Sequence, residues 1–254
     1  MKRICVLFVV VLLTACASTG GGSKGTPQMD TTRAQAIAKI HTELAAAYYE
    51  REQYAVALHE IAVALQAESG YAPAYSVRAL IRMALREDEQ ADADFRLSVQ
   101  LDSSNSETRN NYGWFLCQRG REKESLRQFQ EALKNPLYAT PEMAYANLGM
   151  CSMKAGLPQE AESNFQRALV IRPGMQEALY GLATLAYERG EYAGAKSYLQ
   201  RFSRGPHELT AEQLWLAVRI ERKMRDRNSE ASFALQLRKR YPESPETQLL
   251  LQGQ

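Results

Sequence analysis

The residues able to do chemistry are few, and the cysteines lead them. The chain carries four, Cys5, Cys16, Cys117 and Cys151, with three scattered histidines, His41, His59 and His207. A thiol can be acylated, oxidised to a disulfide, bind a metal or act as a nucleophile, and spacing selects among these fates. No cysteine spacing suits a metal, no His-Glu-x-x-His occurs, and no Gly-rich phosphate loop is present. The acidic run Glu87, Asp88 and Glu89 reads as a solvated turn between helices. The sequence therefore predicts no catalytic residue, no metal site and no cofactor. Two covalent possibilities remain: modification at Cys16, and a bond between Cys117 and Cys151.

Cys16 closes a targeting segment. Lys2 and Arg3 precede an unbroken apolar run from Ile4 to Leu13, too short to span a bilayer, which takes about 20 residues. Leu13-Thr14-Ala15-Cys16 follows and resembles a bacterial lipobox. That resemblance implies a signal peptide over residues 1–15, cleavage between Ala15 and Cys16, and lipid on the Cys16 sulfur. The plainer alternative is a non-lipidated signal with Cys16 incidental. One acyl chain holds a membrane marginally, whereas two or more hold it firmly. Ala17 stands where an inner-membrane retention Asp would stand, which points to the outer membrane and its periplasmic face. Residues 16–32, rich in Gly, Ser and Thr, read as the lipidated Cys and a flexible tether, with a reach of roughly 20 Å.

Charge excludes a class of partner. The precursor has 31 basic and 29 acidic residues. Once Lys2 and Arg3 leave with the signal, the two signs balance. No basic run carries interleaved aromatics, so no nucleic acid is expected as a partner.

From Arg33 onward apolar residues recur at helical spacing, with Gly or Pro between segments. Small residues at Ala57, Ala91, Ser125, Ala161, Ala195 and Ala231 are separated by 34, 34, 36, 34 and 36 positions. Four residues beyond each lies a large one: Ile61, Phe95, Phe129, Phe165, Leu199 and Leu235. Twelve before each lie Ala45, Ala79, Gly113, Gly149, Ala183 and Arg219. The two longer spacings place insertions at 136–141 and around 205–207. Within Glu142 to Met175 the order is Tyr145, Leu148, Gly149, a break at Gly156 and Pro158, then Ala161, Phe165, Ala168 and Pro173. That order resembles the tetratricopeptide repeat, whose hairpins must stack to bury their faces. The resemblance implies one all-α domain over 33–254, a right-handed α-solenoid of six repeats at about 38–71, 72–105, 106–139, 142–175, 176–209 and 212–245. Ser244-Pro245 opens a capping helix in which Leu249, Leu250 and Leu251 are expected to cover the end of the stack. The chain is expected to be a monomer.

In such arrays the first helix of each repeat lines a concave groove, through its second, fifth, ninth, twelfth and thirteenth positions. Here these include Tyr49, Leu80, Met83, Trp114, Met150, Met153, Tyr180, Tyr187 and Ile220. An apolar, aromatic and Met-rich surface suits an adaptable partner, although any of these side chains could instead pack against a neighbouring helix. Ser76 and Leu80 stand where a clamp for C-terminal carboxylates has Lys and Asn, which disfavours that mode. Cys117 and Cys151 fall at the twelfth and tenth positions of successive first helices. An offset of about 3 Å along parallel helices about 8–10 Å apart allows a disulfide, and two buried thiols are the alternative.

NNYGWFLC at 110–117, PLY at 136–138 and NLGMC at 147–151, with the lipobox and six repeats, resemble the type IV pilus biogenesis lipoproteins that act as pilotins of the pilus secretin. The resemblance covers essentially the whole mature chain. It implies a non-enzymatic protein that binds secretin subunits, carries them to the outer membrane through its lipid, and promotes their multimerisation in support of twitching motility. Two alternatives share the fold: an adaptor in outer-membrane protein assembly, and a regulator of periplasmic peptidoglycan enzymes.

Overall fold

The structure is a computed structural model that describes residues 27–204 and 208–253. Those residues form thirteen helices and no strand. In chain order they are α1 (Pro27–Glu50), α2 (Tyr54–Ala67), α3 (Ala72–Ala84), α4 (Asp88–Leu101), α5 (Ser106–Gln118), α6 (Glu122–Ala132), α7 (Pro141–Lys154), α8 (Pro158–Ile171), α9 (Gln176–Glu188), α10 (Tyr192–Phe202), α11 (Ala211–Met224), α12 (Arg227–Arg240) and α13 (Pro245–Leu251). Consecutive helices pair into six hairpins, each packed on the next, and α13 lies against α11 and α12. This is the expected all-α solenoid with a C-terminal capping helix. The expected signal peptide and most of the tether lie outside the described residues. Residues 27–32, assigned from composition to the tether, instead form the first turns of α1. Pro27 begins that helix, where a fixed φ and a missing N–H cost nothing.

The hairpin turns share one device. Each places a single residue at positive φ: Glu52, Arg86, Gly120, Gly156, Gly190 and Arg225. The next residue's N–H then donates back across the turn, as from Gln53 to Tyr48 O (3.0 Å), Leu157 to Ser152 O (2.8 Å) and Asp226 to Glu221 O (3.0 Å). This closes the last turn of the first helix and satisfies carbonyls it would otherwise leave open. Among the last helices, side chains cap the N-termini. Thr210 and Gln213 cap α11 reciprocally, Asp226 caps α12 and Ser244 caps α13.

The core follows the small and large columns through five repeats. Ala57, Ala91, Ser125, Ala161 and Ala195 are fully buried, and Ile61, Phe95, Phe129, Phe165 and Leu199 fill the spaces beside them. The closest approaches surround Phe165. A Cβ on Gly149 would lie 2.6 Å from its ring, and one on Gly181 of the next repeat 2.4 Å. Glycine at both positions is what admits a phenyl ring between two adjacent first helices.

The sixth repeat departs from its expected register. Ala231 is exposed and Leu235 is 59% exposed, whereas Val218 and Leu237 are fully buried. The turn residue resolves the shift. Positive φ falls five residues before the small column in every earlier repeat, so Arg225 sets that column at Glu230. The repeat therefore begins at Ala211, one residue earlier than expected. Ala234 replaces the large residue, because no seventh hairpin leaves a gap to fill. Leu249 and Leu250 pack against the terminal core, while Leu251 is 70% exposed and does not help to cover it.

Candidate functional site

First helices contact one another from α1 to α3, α5, α7, α9 and α11, while the second helices do not meet each other. A stack that touches along one row and fans apart along the other must curve, with the touching row inside. The concave face is thus built from first helices, and its residues fall into three stretches.

At the N-terminal end, Tyr49, Met83 and Trp114 come together around an open depression of about 420 Å³. Tyr54, Ala84, Arg86, Gln118 and Arg119 complete its lining. Tyr49 and Tyr54 meet with ring centroids 6.0 Å apart. Burial, and then the neighbouring Tyr54, push the Tyr49 hydroxyl's pKa up, so it stays neutral. Arg119 forms a two-pronged pair with Asp88, donating from Nε (2.7 Å) and Nη2 (2.5 Å), which ties the third repeat to the second. Leu80 packs beside this stretch against the buried Phe95 cluster.

In the middle, Cys117 on α5 and Cys151 on α7 form a disulfide with Cα atoms 5.9 Å apart. Both sulfurs belong to a buried cluster with Phe129 and Leu148, against which Trp114 rests. The bond lies beneath the groove and holds two adjacent first helices. Met150 and Met153 are half-buried and pack on the Phe165 cluster, so packing absorbs part of each side chain.

At the C-terminal end, Tyr180 and Tyr187 face α11. The Tyr180 hydroxyl's pKa is pushed up by burial first and by Glu212 second. Ile220, expected in the groove, is fully buried. With the repeat starting at Ala211, the groove positions of α11 are instead taken by Trp215, Arg219 and Arg222. The Arg219 guanidinium lies 4.8 Å from the Tyr187 ring centre and 5.7 Å from that of Trp215. Arg222 donates from Nε to Glu230 (2.8 Å).

The groove residues from Tyr49 to Tyr187 are all half-buried, and the structure divides them among these stretches rather than gathering them at one point. Sequence reasoning missed Tyr54, Arg86 and Arg119, which come from turns or the ends of helices. It missed Trp215 and Arg219 through the one-residue register shift, which the spacing of the turn residues could have corrected. The histidines do not form a site: His41 Nδ1 lies 2.6 Å from Glu60 Oε2, His59 is exposed, and His207 lies outside the described residues. No group of three or more His, Cys, Asp or Glu among the described residues could hold a metal, and none of the described helices is long and apolar enough to cross a membrane.

Comparisons with known proteins agree with this architecture. A tetratricopeptide-repeat family model matches residues 152–204. The type IV pilus assembly protein PilF of Pseudomonas aeruginosa is 29% identical over 248 residues, covering 98% of this chain and 97% of that protein. A solved structure of P. aeruginosa PilF superposes with a TM-score of 0.82 at 27% identity, covering 87% of this chain and all of that one. The crystal structure of PilW, a widely conserved type IV pilus biogenesis factor, gives a TM-score of 0.77 at 32% identity, covering 85% of this chain and 98% of that one. Shared helical hairpins, near-complete mutual coverage and this level of identity together establish that the chain belongs to the tetratricopeptide-repeat family of type IV pilus biogenesis proteins that includes PilW and PilF.

Proposed function

We propose that the protein is an outer-membrane lipoprotein, anchored through Cys16 on the periplasmic face, that binds secretin subunits of the type IV pilus and promotes their localisation and multimerisation. The observation that carries the reading is the match to PilF along almost the whole of both chains. A helical stack with a continuous concave face suits a non-enzymatic binding role. The aromatic depression around Tyr49, Met83 and Trp114 offers an apolar segment of a subunit a place to bury side chains. The lipobox supplies the address: a carrier that holds its cargo and is itself held by lipid moves that cargo to its own membrane.

A deletion strain tests this. Loss of twitching, with secretin left monomeric or in the wrong membrane fraction, is the expected outcome. Intact secretin multimers with altered cell-wall morphology would instead favour a regulator of peptidoglycan enzymes. Cys16→Ser separates anchoring from assembly: secretin is expected to be mislocalised even where some multimers form. Normal secretin localisation in that variant would overturn the carrier mechanism.

A further inference from the structure

We propose that the C-terminal end of the concave groove is a carboxylate-binding subsite, built around Arg219, that takes an acidic side chain from an extended segment of a protein partner. Arg219 occupies the ninth position of its repeat, on the groove floor. Its guanidinium lies over Tyr187 on α9 and beside Trp215 one turn earlier on α11. Two rings from two repeats flank the guanidinium before any ligand arrives, and aromatic faces stabilise the charge without supplying a hydrogen-bond acceptor.

An acceptor is what this arginine lacks. Its Nε is buried with no hydrogen-bond partner, and no carboxylate among the described residues lies within ion-pair distance of it. Its half-buried counterparts are served differently. Arg78 and Arg82 share Asp94, Arg119 holds Asp88, and Arg121 holds Asp92 and Glu124. An N–H removed from water without a partner is costly, and a charged one more so. Lys223, one turn further along α11, lies 5.9 Å from the Tyr192 ring centre and likewise has no ion-pair partner among the described residues. Glu212 lies close enough to Tyr180 to push its hydroxyl's pKa up, but forms no ion pair with Arg219. The buried Nε is closed to a ligand, so a carboxylate would meet the guanidinium through its two terminal Nη groups, from which it can accept two parallel hydrogen bonds.

The occupant is a peptide because of where the fork lies. Tyr187 continues the half-buried first-helix row of Tyr180 and Met153, with Trp215 buried beside the fork, and a concave row of this kind admits an extended chain and excludes a flat bilayer. This inference shares with the pilus reading only the use of the groove, and it does not depend on which protein the partner is.

The chain contains two tryptophans, so Trp114→Phe leaves Trp215 as the sole reporter at this end. Random peptides displayed on phage are selected against the full mature chain. The survivors are synthesised and titrated into the Trp114→Phe protein while Trp215 emission is followed. Peptides that shift the emission are expected to carry Asp or Glu. Replacing that residue by Asn or Gln is expected to weaken binding about tenfold or more, as is Arg219→Gln, with Arg219→Lys falling between. The amide substitution in the peptide keeps the test decisive if an Arg219 variant fails to fold. The proposal is overturned if no peptide shifts Trp215, if those that do bind equally well as amides, or if only phosphatidylglycerol vesicles produce the shift.

Discussion

Phe165 shows how a single side chain holds neighbouring repeats together. Its ring is fully buried and sits where Gly149 of its own hairpin and Gly181 of the next leave no Cβ. Gly149→Ala would put a carbon 2.6 Å from the ring, so the ring or a helix must move. Such overpacking costs about 1–3 kcal/mol. We expect a urea midpoint lowered accordingly, with loss of protection focused on α7–α9 in hydrogen exchange; an unchanged midpoint would mean the ring relocates freely. Gly156 differs in kind. It has open space around it but lies at φ +70°, so Gly156→Ala strains backbone alone, by about 1 kcal/mol. At this scale the sequence was informative where a residue type has one physical reason to recur. The buried small column could be read through five repeats because only small side chains permit that approach. It failed at Ala231 because Ala also serves on an exposed helix face, so identity did not reveal burial. The groove cations were unreadable for a related reason: an arginine looks the same whether a carboxylate meets it or not, and its partner lies on another helix.

Elements are secured by caps and by one covalent link. Asp226 accepts from the Ser229 N–H (3.1 Å) and hydroxyl (3.0 Å) at the start of α12 and from Lys196 on α10 (3.0 Å). Ser229's backbone first, then Lys196, lower its pKa to about 2. A depressed carboxyl pKa favours the folded state above its unfolded value of about 3.9. The contribution is therefore complete at neutral pH and is lost as the pH falls from about 4 toward 2. Unfolding curves of the native chain and of Asp226→Asn should converge over that window; a constant gap would mean that the carboxylate's charge is not what stabilises the cap. The disulfide acts on a larger unit. Cys117 and Cys151 are 34 residues apart, and closing a loop of that size contributes about 3–4 kcal/mol in the chain-entropy model. Reduction, or the double change to Ser, should destabilise the third and fourth repeats most, as read by hydrogen exchange of α5–α8. The spacing allowed this bond but also allowed free thiols, since the direction in which each side chain points around its helix cannot be obtained from periodicity alone.

The whole molecule is a one-dimensional array, in which each hairpin answers mainly to its neighbours. The C-terminal cap is therefore a local matter. Thr247 of α13 is buried and donates through its hydroxyl to Tyr241 O (2.7 Å), while Leu249 and Leu250 cover the terminal core. Removing residues 245–254 should speed amide exchange in α11 and α12 and leave α1–α4 unchanged; uniform loosening would indicate a cooperative domain instead. The order and number of hairpins could be read from the sequence because repetition supplies several independent views of one pattern. The last repeat was misread because its neighbour on one side is missing and its sequence is released from the constraint.

The inner row of helices runs unbroken from α1 to α11, but only its α5–α7 junction is bonded covalently. A curved strip with one joint welded and the others held by side-chain packing bends at the packed joints. The aromatic depression lies largely on one side of that weld and the Arg219 fork wholly on the other. Their separation can thus change as the strip flexes, while each keeps its own shape. A partner long enough to reach both would set the curvature, and two partners sharing the groove would feel each other through it.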